Sequence, residues 1–125
     1  PEDASQAGAL GARYVGAIFA GGPRLLDASR ARTVFDAAAA GARDASHDAP
    51  RAVGVMGAQS VDGIARLADD AALDVVQLHA DPDAATVERV RAATGRAVWA
   101  VVRVAGVALP PHVAYWQVPP GRAGV

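Results

Sequence analysis

The chain has 125 residues and a mass of 12.6 kDa, enough for one domain of ordinary size. Its 12 basic and 13 acidic residues nearly cancel, which argues against a nucleic-acid footprint or a polybasic membrane anchor. All 12 basic residues are Arg and there is no Cys, so Schiff-base lysines, Walker-type phosphate loops, disulfides and thiolate chemistry are excluded together. No apolar run reaches the length of a membrane span and no signal peptide opens the chain, so a soluble, cytoplasmic protein is expected. The first residue is Pro rather than Met, and sequence upstream of it is expected.

Pro1-Glu2-Asp3 ahead of Ala-rich sequence predicts a helix start, and Gly11 a helix end. Residues 13–19 then form a short apolar strand. Asp27 predicts the N-cap of a helix running to Ala40 and stopped by Gly41, with 41–50 as a loop. A Val-rich strand follows at 51–56, then a helix capped by Ser60 with Ile64, Leu67, Ala68 and Ala71 on one face. Residues 74–79 make the third strand. Asp81-Pro82 predicts the cap and first residue of a helix that turns Val87 and Val90 to the core and ends at Gly95. Residues 97–104 make the fourth strand.

The last three strands start about 23 residues apart, the length of a strand plus a crossover helix, which makes this a parallel α/β chain. An open doubly wound sheet and a (β/α)8 barrel share that grammar. A closed barrel needs about 200 residues or more, so the chain holds at most half of one. The organisation expected is a partial barrel over 1–104 and an irregular tail over 105–125, which carries Pro110, Pro111, Pro119 and Pro120. A parallel sheet cut from a barrel leaves two open edges, and a homodimer formed through them would bury what closure buries.

In parallel α/β folds chemistry gathers at the C-terminal ends of strands. Arg24, in the loop after the first strand, is either a bidentate partner for a carboxylate or phosphate or a solvated loop residue. Alternation puts Val75, Gln77 and His79 on one face of the third strand and Val76 and Leu78 on the other. His79 is either a substrate-orienting, proton-transferring group or a structural histidine bonded to backbone. Arg103 is either an inward anion contact or a rim residue reaching to water. The three His lack metal-site spacing, and no nucleophilic triad is suggested.

Asp74-Val-Val-Gln-Leu-His79 resembles the fourth-strand motif D-V-V-Q-L-H-G of the phosphoribosylanthranilate isomerases. Pro1-Glu2-Asp3-Ala4 is similar to the P-E-D-A that opens their first helix, Arg13 to Phe19 to their second strand, and Pro23-Arg24 to the S-P-R loop after it. Ala52-Val-Gly-Val55 with Gln59-Ser60 resembles the third strand and its exit, and Val102-Arg103-Val104 the end of the fifth. The resemblance covers about residues 1–104. It implies a (β/α)8 barrel of tryptophan biosynthesis that performs an Amadori rearrangement on a sugar-phosphate substrate without metal or organic cofactor. By the same resemblance Arg24 holds the anthranilate carboxylate, Gln77 and His79 line the barrel mouth, and Arg103 is a further substrate contact. The family's Cys base and Asp acid have no counterpart here, so no catalytic residue is assigned and this chain alone is expected to be inactive. Ala58, Ala80 and Ala100 stand where the family has Asn, Gly and Lys. A non-catalytic half-barrel acting as a binding or assembly module is the alternative.

Overall fold

The computed structural model describes residues 2–19, 27–79 and 82–101. Helices and strands alternate along the chain: α1 (Glu2–Ala9), β1 (Tyr14–Ile18), α2 (Ala28–Asp44), β2 (Arg51–Met56), α3 (Val61–Asp70), β3 (Val75–Leu78), α4 (Ala84–Thr94) and β4 (Ala97–Ala100). The strands form one parallel sheet in the order β1-β2-β3-β4, each crossover helix moving the chain one strand along. Repeated steps in one direction build a barrel wall, whereas a doubly wound sheet reverses at a switch point.

The cap chemistry is close to the expected one. Asp27 and Ser60 cap α2 and α3, accepting from the backbone N–H groups of Arg30 and Gly63 at 2.8 and 3.1 Å. Gly95 ends α4 in the left-handed conformation, φ 65°. The cap of α4, however, is Asp83 rather than Asp81: its Oδ1 accepts from Thr86 N–H at 2.7 Å, and Pro82 precedes the cap instead of opening the helix.

Gly41 does not stop α2, which runs on to Asp44, so the expected loop over 41–50 begins later. The reason lies in packing. A Cβ at Gly41 would overlap the Ser5 carbonyl of α1, and one at Gly8 would overlap the Ala38 carbonyl of α2. Gly in mid-helix costs about 1 kcal/mol of propensity, offset here because the two backbones meet directly. The signal read as a helix stop is a helix–helix contact.

One face of the sheet carries the core. Ala17 and Phe19 from the β1 side, Ala52 and Met56 of β2, and Val76 and Leu78 of β3 pack against Ala31, Ile64, Ala68 and Val90 of the helices. The opposite, concave face follows the register: Gly16, Val53, Val75 and Ala97 form one row, and Ile18, Val55, Gln77 and Trp99 the next. Tyr14, four residues before Ile18, crosses this face to set its ring edge-on to Trp99, with centroids 5.0 Å apart. The level thus shifts by about one residue per strand, the stagger that an eight-stranded barrel of shear 8 requires. The sheet is curled like a barrel wall.

At the N-terminal ends of the strands, side chains staple neighbours together. Asp74 exchanges two bonds with Ala52, its Oδ2 accepting from Ala52 N at 2.7 Å and its own N–H donating to the Ala52 carbonyl at 2.8 Å. Arg96 donates to the carbonyls of Leu73 and Thr94 at 2.7 and 2.9 Å and to the Asp69 carboxylate at 2.9 Å.

Candidate functional site

The C-terminal ends of the four strands open onto one rim, reached at Phe19, Gly57, His79 and Val101. The ladder runs slightly past the strands: Phe19 N donates to the Val55 carbonyl, His79 N to the Met56 carbonyl and Val101 N to the Leu78 carbonyl. His79 is thereby fixed at its backbone where β3 leaves the sheet, with its residue exposed at the rim. Gln77 lies two residues lower, half-buried on the concave face, between Val55 and Trp99 in the register. The alternation read from the sequence is confirmed, with Val76 and Leu78 turned to the helices. Arg24 and Arg103 lie outside the described residues, as do Asp81 and the tail over 105–125.

A residue with no site role in the sequence reading ties two rim loops together. Gln59 donates from Nε2 to the Phe19 carbonyl at 2.6 Å and accepts at Oε1 from Gly57 N–H at 2.7 Å. The end of β1, where the chain leads on toward Arg24, is held to the end of β2 by one amide. A polar side chain three residues past a buried strand was the available signal, since the outgoing backbone there needs a partner.

Beside this rim a cleft of about 290 Å³ is lined by Gly57, Gln59, Ile64, Leu78, Pro82, Asp83 and Thr86. Hydrogen bonds from the Thr86 hydroxyl and then the Thr86 backbone N–H hold Asp83 below its ordinary value of 3.8, against an opposing effect of burial and with Arg89 as the least of the contributors. Among the described residues no cluster of His, Asp and Glu could hold a metal ion, and no helix is long and apolar enough to cross a membrane.

Residues 3–105, most of the chain, match the family of N-(5'-phosphoribosyl)anthranilate (PRA) isomerases. The chain belongs to this family. A comparison with curated proteins finds no match. Among solved structures, the chain is similar to phosphoribosyl anthranilate isomerase from Thermus thermophilus, at 29% identity with a TM-score of 0.67. That likeness covers 86% of this chain and 50% of the Thermus chain, so this PRA isomerase family member spans half the length of the enzyme it matches. Its four parallel strands are a partial (β/α)8 barrel.

Proposed function

We propose that the chain is the substrate-recognising portion of a PRA isomerase, with residues 1–104 as its barrel segment and 105–125 apart from it. The reaction is an aldose–ketose isomerisation of an intramolecular-oxidoreductase type. Protonation of the sugar ring oxygen lets the C1–O bond break and leaves an iminium between C1 and the anthranilate nitrogen. Removal of the C2 proton gives an enolamine, which becomes the ketone. C1 is reduced as C2 is oxidised, so no external electron carrier enters.

In this reading Arg24 forms a bidentate pair with the anthranilate carboxylate. Gln77 offers donor and acceptor groups from the concave wall, His79 orients the sugar at the rim, and Arg103 is a further anion contact. The observation that carries the proposal is the family match over 3–105 combined with Gln77 and His79 at the C-terminal end of β3, where barrels keep their chemistry. The substrate is a small sugar phosphate and the compartment the cytoplasm.

The chain has no Cys to serve as the family's base, and Ala occupies positions 58, 80 and 100. These substitutions favour a second reading, a half-barrel that binds or assembles without catalysis. Complementation of a tryptophan auxotroph lacking only this isomerase separates the two. The expected result is no growth with the 125-residue chain and growth when the missing barrel segments are supplied in frame. Growth with the chain alone would overturn the division of labour proposed, and failure of both would favour the non-catalytic reading.

A further inference from the structure

In the parallel pairing of β1 with β2, every second residue of β1 bonds across: Arg13 accepts from Arg51 N–H at the start, and Phe19 donates to the Val55 carbonyl at the end. The next rung of that ladder would run from Gly57 N–H to the Phe19 carbonyl. Those two groups are joined instead through the Gln59 side chain, whose Oε1 accepts from Gly57 N–H at 2.7 Å and whose Nε2 donates to the Phe19 carbonyl at 2.6 Å. A primary amide carries acceptor and donor on one planar group. It replaces the rung and parts the two strands there by its own width. The partners also fix which way the amide faces, since Gly57 N–H needs an acceptor and the Phe19 carbonyl a donor.

Both ends of this bridge are anchored. The Phe19 ring is buried in the core under the helices. Ser60, next to Gln59, caps α3 by accepting from Gly63 N–H, and Gly63 lies against the stem of Gln59, where a Cβ would stand 3.8 Å from the Gln59 Cβ. Along the chain, Phe19 leads to Arg24 and then to Asp27, the cap of α2. We propose that Gln59 is a positioning residue for carboxylate recognition, its amide fixing the point from which the chain leaves β1 toward Arg24. This rests on the reading of Arg24 as the carboxylate partner and deepens it, because a bidentate pair depends on where the fork is held.

The bridge has two halves that substitution separates. In Gln59→Glu an ionised carboxylate still accepts from Gly57 N–H but has no proton for the Phe19 carbonyl, and two oxygens then face each other. Protonation returns one donor and one acceptor in nearly the shape of the amide, so the same variant regains the bridge in acid. Gln59→Met keeps the length of the side chain and loses both bonds at every pH. Asp83 in the same cleft and His79 at the rim are common to all these chains, so comparison with wild type at each pH removes their titration.

Titration of the 125-residue chain with 2-aminobenzoate and with aniline, which lacks the carboxylate, tests the proposal by NMR. The ratio of the two affinities is the quantity read, and general loss of structure would lower both together. Wild type should prefer 2-aminobenzoate, and Arg24→Ala should lower that preference about 10-fold. At pH 8 Q59E should lower it about 5-fold with aniline affinity and helix content unchanged, and R24A/Q59E should be no worse than R24A, because the two residues act in series. On acidification Q59E should return toward wild type, while Q59M stays low. A Q59E chain as selective as wild type, a further loss of selectivity when Q59E is added to R24A, or no recovery in acid would overturn the positioning role and leave the reading of Arg24 standing. Wild type and R24A chains with equal preference would overturn the reading of Arg24 and the role of Gln59 with it.

Discussion

On the convex side of the sheet, Ala31, Met56, Ala68, Val76 and Val90 are sealed between strands and helices; on the concave side Tyr14, Ile18 and Trp99 remain open to water. The same four strands separate two jobs. One face packs against the helices and supplies most of the hydrophobic burial, and the other, where Val53 and Val75 are buried beside the open rings, carries Gln77. The two ends of the strands divide in the same way. Asp74 and Arg96 staple the N-terminal ends, while the C-terminal rim holds His79 and the Gln59 clamp.

The contrast between faces predicts the largest effect. Met56→Ala on the convex face, where Met56 is fully buried, should cost about 3 kcal/mol of stability. Ile18→Ala on the concave face, where Ile18 is 63% exposed, should change stability by no more than about 0.5 kcal/mol. Urea unfolding at low protein concentration checks both, and equal costs would break the division of faces. Gly41→Val comes next, at about 2 kcal/mol, because the new side chain meets the Ser5 backbone rather than a pliable side chain. Hydrogen exchange should show α1 losing protection while β2 and β3 keep theirs.

The contrast between strand ends is sharpened at Arg96. Arg96→Ala removes donors to two carbonyls from a side chain only 22% exposed and should cost about 2 kcal/mol. Asp69→Ala removes only a solvated carboxylate from the same cluster and should cost less than about 0.5 kcal/mol. A thermal melt of each variant separates carbonyl stapling from ion pairing. A loss in Asp69→Ala equal to that in Arg96→Ala would place the stabilisation in the salt bridge instead.

The strand–helix grammar was legible because short Val runs recur at the βα period, and the motif around Gln77 and His79 carried the family. What misled was punctuation. Gly41 has the same chemistry whether it ends a helix or lets another helix touch it, and the decision rests on Ser5, 36 positions earlier in the sequence. Asp81 and Asp83 flank Pro82 and are equally good caps locally, and Thr86 selects between them by offering its N–H to Asp83. The Gln59 bridge to Phe19 was hidden for the same reason, since it spans 40 positions and depends on parallel pairing of β1 with β2. Local propensity reads elements well, and tertiary contact sets their ends.

The smallest predicted effect lies at the rim, in the cap of α4. Hydrogen bonds from Thr86 favour ionised Asp83, so its folded pKa lies below the ordinary 3.8. With a depressed folded value, the stability contributed by ionisation is fully present above the unfolded value and is lost as pH falls through the folded one. The pH dependence therefore sits below about pH 4 and is absent near neutrality. Asp83→Asn keeps a capping oxygen, so its stability should track the wild type at neutral pH and lack this part of the acid loss. Thr86→Val keeps the backbone N–H but removes the hydroxyl, the larger of the two causes, and should move the Asp83 titration up toward its ordinary value. Carboxyl-carbon NMR across the acid range reads this directly. An unchanged midpoint in T86V would assign the depression to the backbone bond and to Arg89, leaving the cap intact but its pH sensitivity unexplained by the hydroxyl.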